Sequence, residues 1–350
     1  LSGDFDILKS VSIAGAGAGS TIINGNGGNM NDRVFDVIGN ITVSFSGVTI
    51  TNGKATDCAP APGLPSCGGA ILSNSTGGPD VAGTVNITNS TVSNSATTGA
   101  GADGGGIFNS GTQRTLTVTD STISGNATYY GGGIAGGGTI TVTRSTLTGN
   151  SASYYGGGIY TAGTTVVANS TLTGNSAGNS GGGILSFVTS TITNSTISGN
   201  TGGGAAVDGY TGTTTISNTI VANQISGTAD CSGTITSNGH NLESSTSCGF
   251  NQTGDLQNTD PLLGALAGNG GPTQTMALLS GSPAIDSGNA GVCAASPISN
   301  VDQRSYVRPA GVQCDIGAYE YGEAAATGVP TLSEWAQIGM AGLLVGGGLL

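Results

Sequence analysis

The phrase Gly-Gly-Gly-Ile occurs four times, at 104–107, 131–134, 156–159 and 181–184. A second phrase, Ser-Thr followed by Ile, Leu or Val, begins at Ser90, Ser121, Ser145, Ser170 and Ser195. A third, Gly-Asn, closes each unit at Asn126, Asn150, Asn175 and Asn200. The even spacing of all three phrases defines one repeat, and a chain built this way folds as a stack of equivalent units whose cores join end to end.

Superimposing the units aligns three apolar columns: Ile107, Ile134, Ile159 and Ile184; Val118, Val142, Val167 and Ile192; Ile123, Leu147, Leu172 and Ile197. Each column lies in a short run of Thr, Val and Ile bounded by Gly, Asn and Ser, the pattern of a short strand between tight turns. With 66 glycines in 350 residues and so many β-branched side chains, helices are excluded from the repeat. The prediction is an all-β, right-handed parallel β-helix of about 25 residues and three strands per coil, with a loop-rich C-terminal cap and an apolar C-terminal tail. Propeller blades need longer repeats, and leucine-rich repeats need a Leu consensus that is absent.

Ile71, Ile87 and Val92 extend the columns upstream, and Val207, Ile216 and Ile220 extend them downstream. Val43 and Val48 match earlier still, in ITVSFSGVTITNG. Residues 1–228 then hold about eight or nine coils, a rod about 40 Å long at one strand spacing per coil. The asparagines at 126, 150, 175 and 200 are expected to form a turn ladder, because Asn tolerates left-handed φ and its amide can bond its equivalent one coil away. Stacking accounts for them without an active site.

Only 7 Lys+Arg stand against 19 Asp+Glu, a net charge of −12, so no cationic surface exists to neutralise phosphates and nucleic acid is excluded as a partner. The six cysteines fall into sequential pairs, Cys58 with Cys67, Cys231 with Cys248 and Cys293 with Cys314, which points to local disulfides and an oxidising compartment. A metal site is the rival reading, but there is no C-x-x-C and His240 is the only histidine. No metal or cofactor is expected. Leu1 opens inside a strand-like stretch without a basic or apolar leader, so a leader is expected to have been removed or omitted. The apolar run from Ala336 to Leu350 is shorter than the roughly 20 residues of a spanning helix.

The C-terminal stretch 329–350, VPTLSEWAQIGMAGLLVGGGLL, resembles the IPTL-CTERM sorting signal of Gram-negative bacteria, whose hallmark is I-P-T-L-S-E-W before an apolar helix and a basic tail. Val329 replaces the first Ile, Pro330, Thr331, Leu332, Ser333, Glu334 and Trp335 match, and the basic tail is missing. The resemblance implies export, transient membrane retention and removal by a sorting peptidase. Residues 238–321 resemble the choice-of-anchor Q domain of bacterial surface proteins through NGHNL, TDPLLGAL, NGGPTQT, GSPAIDSG, DQRSYVRP and CDIGAYE, with Met276 where many relatives have His. The domain reading is 1–228 β-helix, 229–322 disulfide-bearing choice-of-anchor Q-like cap, and 323–350 linker and sorting tail.

Many parallel β-helices degrade polysaccharides, using either a base with Ca²⁺-binding carboxylates or two carboxylates facing one groove. Between residues 81 and 228 the only charged side chains are Asp103, Asp120, Asp208, Arg114 and Arg144. Asp120 and Arg144 lie one repeat apart in equivalent positions of adjacent coils, which reads as a surface ion pair. Asp302, Arg304, Arg308, Asp315 and Glu320 read as a network bracing the cap, with a site as the alternative. His240 reads as a turn residue. Eight N-x-(S/T) sequons (Asn40, Asn74, Asn86, Asn89, Asn126, Asn169, Asn194 and Asn251) follow from composition alone.

Tyr129-Tyr130 and Tyr154-Tyr155 are one repeat apart, just before Gly-Gly-Gly, and are expected to stack as a ledge. Such a ledge can grip sugar rings, mate with another chain, or brace a wide turn. The expectation is therefore a non-catalytic structural or adhesive protein at the cell surface or in the extracellular matrix. Its expected partners are the export and sorting machinery, a surface or matrix polysaccharide, and further copies stacked end to end into filaments. A carbohydrate-binding module using the tyrosines and a polysaccharide lyase or hydrolase are the alternatives.

Overall fold

A computed structural model describes residues 3–26, 32–56, 67–74, 80–225 and 228–322. One central coil consists of the strands Ile134–Gly136, Thr139–Thr143, Thr146–Thr148 and Ser151–Tyr155; the next consists of Ile159–Thr161, Thr164–Ala168, Thr171–Thr173 and Ser176–Ala177. Equivalent strands pair parallel and in register from coil to coil, so the chain is a parallel β-helix. The third row holds nine strands, from Ile22–Asn24 to Leu242–Glu243. Rows one and two merge at the 13-residue strand Ala205–Ser217.

The three predicted columns fill rows one to three, fully buried in one continuous core. Each aliphatic side chain packs on its equivalents about 4.8 Å above and below. Two extensions need correcting. Upstream, the second and third columns continue through Phe45 and Ile50, not Val43 and Val48. Val43 belongs to a fourth inward column with Val85, Leu116 and Ile140, and Val48 sits at the foot of a serine ladder, its N–H bonded to Ser90 Oγ. Downstream, Val221 and not Ile220 continues the third column. A one-residue shift in a strand reverses its faces, so Ile220 points outward, where Leu278, Ala284 and Ile316 cover it.

The fourth row, six short strands from Lys54–Ala55 to Thr201–Gly202, adds to the three predicted rows. Its inward positions are Ala55, Thr97, Thr128, Ala152, Ala177 and Gly202, too small and mixed to register as an apolar column.

The asparagine ladder exists, but it lies inside the fold and its backbone is not left-handed. Asn126, Asn150, Asn175 and Asn200 are fully buried, and each Nδ2 of the first three donates to the next Oδ1 at 2.9–3.0 Å. The left-handed residues are their neighbours Gly125, Gly149, Gly174 and Gly199, with φ of +63 to +68°. The turn requires a positive φ one residue earlier than expected, which frees the asparagine to bond inward. The middle glycine of each Gly-Gly-Gly has a different cause: a Cβ on Gly132, Gly157 or Gly182 would collide with a backbone oxygen of the next coil.

The parallel ladder continues past residue 228, since Ala229–Ser237 pairs with Ala205–Ser217. Phe250 and the Cys231–Cys248 disulfide then cover the last rung of the core. The loop-rich remainder turns back along the flank of the third row. Gln303 bonds Ser145 O and Thr146 Oγ1 and accepts from Thr171 Oγ1, Asn169 donates to Val301 O, and Ala318 N donates to Thr196 Oγ1. Its only regular helix among the described residues is Ala290–Ala294, capped by Asn289 and tied down by Cys293–Cys314.

Candidate functional site

The predicted tyrosine ledge forms where the fourth row meets the glycine turn. Tyr129 stacks on Tyr154 with ring centres 5.5 Å apart and planes 14° apart, and Tyr130 stacks on Tyr155 at 6.2 Å and 19°. A register shift between Thr128 and Tyr130 absorbs the extra residue of the longer coil and lets both pairs align. Three further rings join the ledge. Tyr160 stacks on Tyr130 at 5.1 Å, Phe187 meets Tyr160 at 5.5 Å, and Tyr210 meets Phe187 at 5.2 Å and Tyr155 at 5.7 Å. The strip thus draws on five successive coils and rises about three strand spacings at this corner, about 14 Å. Tyr154 and Tyr210 are the most exposed rings, at 37% and 51%.

Tyr160 was legible in the sequence. The residue after each Gly-Gly-Gly-Ile is Phe108, Ala135, Tyr160 and Leu185, one outward column of the first row. Phe187 and Tyr210 come from corners outside the repeated phrases and carry no such signal. Burial first, then Asp103 and Tyr130, pushes the Tyr160 hydroxyl up to about 12. Burial also raises Tyr155, helped by hydrogen bonds with Tyr210 and Tyr154, and it raises Tyr130. The strip therefore presents neutral phenols beside apolar ring faces near neutral pH.

Beside Tyr130 and Tyr160 opens a groove of about 370 Å³ lined by Asp103, Phe108, Gly136 and Gly137 as well as the two tyrosines. A second hollow of about 310 Å³, lined by Asn24, Asn52, Lys54 and Asn94, offers amides and one ammonium.

The other candidates have structural partners. Arg144 grips Asp120 with two bonds of 2.8 Å, which raises the arginine's pKa, and both residues sit at positive φ in the turn column shared with Asn89, Asn169, Asn194 and Asn218. Asp208 accepts from Ser180 Oγ at 2.5 Å. The buried Arg114 guanidinium donates to Ser73 Oγ and to the carbonyls of Val37, Gly39 and Val81. Asp4, Asp6 and Asp36 cluster near the first rungs, where Arg33 meets Asp4 at 2.9 Å and Asp36 at 3.4 Å.

In the C-terminal segment the five charged residues form one buried network. Arg304 pairs with Asp302 at 2.7 Å between the rings of Tyr306 and Tyr319, and Arg308 pairs with Glu320 at 3.2 Å while bonding the carbonyls of Asp315 and Gly317. His240 is a turn residue at φ +55°, its Nδ1 2.8 Å from Ser287 O. Cys58 and the sorting motif from Pro330 to Trp335 lie outside the described residues.

Compared with known protein families, curated proteins and solved structures, the chain matches none. Among the described residues no helix is long and apolar enough to cross a membrane.

Proposed function

We propose that the protein is an exported, non-catalytic adhesive rod of the cell surface or matrix, and that its aromatic strip takes a polysaccharide. The observation that carries this reading is the strip itself: rings from five successive coils, each touching the next, with neutral hydroxyls at their margins. Tyrosine combines a rigid apolar face with a hydroxyl at small cost in rotamer entropy, which suits the alternating faces and edges of a sugar chain. The disulfides and the resemblance of the tail to a sorting signal support export. Asp120, Asp208, Arg114 and Arg144 are engaged in pairs or bonds to neighbouring residues, which leaves no facing pair of carboxylates among the described residues between 81 and 228 and favours adhesion over hydrolysis or β-elimination.

Phe250 over the last rung favours single rods over end-to-end filaments. Affinity electrophoresis of the full chain through gels containing neutral polysaccharides tests the reading. Retardation by at least one polysaccharide, lost in the double variant Tyr154→Ala/Tyr155→Ala, is the expected result. Equal retardation of the variant and the parent chain would refute the role of the strip.

A further inference from the structure

The groove beside the strip has a chemistry the strip lacks. Phe108 and Tyr160 occupy the same outward column two coils apart, with Ala135 between them, so a methyl group stands where a third ring would close the column. Two coils separate the ring positions by about 10 Å. Gly136 and Gly137 form the floor, and Tyr130, stacked on Tyr160, forms the side wall. The remaining wall is Asp103, whose backbone pairs with that of Tyr130. Burial is the main cause that raises the pKa of both tyrosines, and the charge of Asp103 adds to it.

A second carboxylate stands behind the rim. Asp80 accepts from Thr112 N and Oγ1, each at 2.6 Å, and Thr112 also lines the groove. Arg114 is the cation nearest in sequence, and its guanidinium turns inward to Ser73, Val37 and Gly39. No Lys or Arg side chain is among the residues lining the groove. Aromatic faces, a carboxylate and a backbone floor in a chain of net charge −12 are complementary to a cation with an apolar body, through cation–π attraction and a charge-assisted hydrogen bond. The volume, about 370 Å³, falls at the small end of ligand sites and has room for one sugar ring.

We infer that this groove binds an amino sugar with a free ammonium group, one residue of the polysaccharide that the strip takes. The inference rests on the glycan reading above and adds its chemical class: the strip supplies neutral grip, and Asp103 with the Phe108–Tyr160 gap selects positively charged sugar residues.

The test uses the full chain with three probes: a β-1,4-linked glucosamine hexamer, its fully N-acetylated counterpart, and choline as a sugar-free ammonium. Titration calorimetry should show the glucosamine hexamer binding about tenfold more tightly than the acetylated one, the scale of one partly desolvated cation–π contact. Asp103→Asn should bring the two to parity, and Tyr160→Leu should do the same while the melting temperature stays near that of the parent chain. Asp6→Asn, an exposed acid on the first rung, should leave the preference intact.

Parity in the parent chain, a preference that survives Asp103→Asn, or an equal loss in Asp6→Asn would overturn the inference. Choline displacing the hexamer at matched ammonium concentration would overturn the sugar part. Tyr154-dependent binding of the acetylated hexamer without any preference would leave the glycan reading standing and remove this one. Binding of no oligosaccharide would remove both.

Discussion

The buried asparagine ladder is the most exacting feature to perturb, because its bonds tie side chain to backbone across three coils. Asn150 Nδ2 donates to Ile123 O and to Asn175 Oδ1, each at 2.9 Å, while its Oδ1 accepts from Asn126 N at 3.2 Å and Asn126 Nδ2 at 3.0 Å. Replacing Asn150 by Ala strands one fully buried backbone group, Asn126 N, and removes the side-chain donor from Ile123 O, which keeps its place in the strand ladder. The stranded group costs about 1–3 kcal/mol and the lost side-chain bonds add to it, so the expected loss is about 2–4 kcal/mol. Asn175 Oδ1 keeps a donor in the backbone amide of residue 150, which limits the damage on that side.

Unfolding of a solenoid can proceed coil by coil, so a single global midpoint would blur the effect. Native-state hydrogen exchange reads the site directly. The Asn126 amide should exchange at least about 30-fold faster in Asn150→Ala, the factor for about 2 kcal/mol. Asn94→Gly is the matched control. Asn94 is exposed at φ +52° in the turn column where later coils carry glycine, so this change should cost less than about 0.5 kcal/mol. If the two asparagines cost the same, or if Asn126 keeps its protection in Asn150→Ala, the distinction between an inner ladder and an outer turn column fails.

Three further outcomes follow from the same geometry. Gly149 has φ +64° and no atom nearer than 3.9 Å to an added Cβ, so Gly149→Ala should lose about 1 kcal/mol to backbone strain alone, and Gly149→Asn less; denaturant midpoints of the pair decide it, and an alanine no worse than asparagine would contradict the strain argument. Thr165, Ser190 and Thr214 continue the inward column of Leu116 and Ile140, and their hydroxyls are buried without a hydrogen-bond partner, so Thr165→Val should stabilise by about 1–2 kcal/mol in thermal unfolding, whereas a loss would show that the hydroxyl is satisfied. Burial pushes the Glu320 carboxyl from its ordinary 4.5 to about 7 despite Arg308, so the folded chain holds an extra proton between those values. The associated stability is complete below about pH 4.5 and lost as pH rises through about 7, and the melting temperature should fall across that window less steeply in Glu320→Gln.

What the sequence reveals and what it hides divide along one physical line. Wherever a coil repeats its neighbour, spacing alone places the side chain: Ile134, Val142 and Leu147 fall in their columns, and Tyr129 meets Tyr154 because both precede the same glycine turn. Wherever a coil changes length, counting fails. The third column is misplaced by one residue at Ile220, because the coil through the strand Ala205–Ser217 is shorter than its predecessor: 24 residues separate Ile197 from Val221, where 25 separate Leu172 from Ile197. Counting puts Val43 in the second column, two residues early, because 42 residues separate Phe45 from its equivalent Ile87, far from the regular repeat of about 25. The C-terminal segment is legible as a braced, loop-rich unit. Its path is not, because Gln303 and Ala318 recognise the outward threonines Thr146, Thr171 and Thr196, which look identical in sequence to the uncovered Thr91 and Thr122.

That path also explains why the aromatic strip stands where it does. The returning segment covers the third row from Arg144 to Ile220, burying Ile220 and accepting hydrogen bonds from the side-chain amide nitrogens of Asn169 and Asn218. The corner between the fourth and first rows is left for large side chains, since the short inward residues of the fourth row bring the backbone close and the glycine turn leaves room outside it. Seven rings gather there from five coils, two of them exposed and five half-buried, and aromatic surface concentrated on one corner marks an interaction surface better than scattered rings would. A rod with one flank sealed by its own chain and one corner lined with tyrosine has a single such face along its axis, and on the glycan reading proposed above the charge of Asp103 within that face would set which sugar residue sits at the groove.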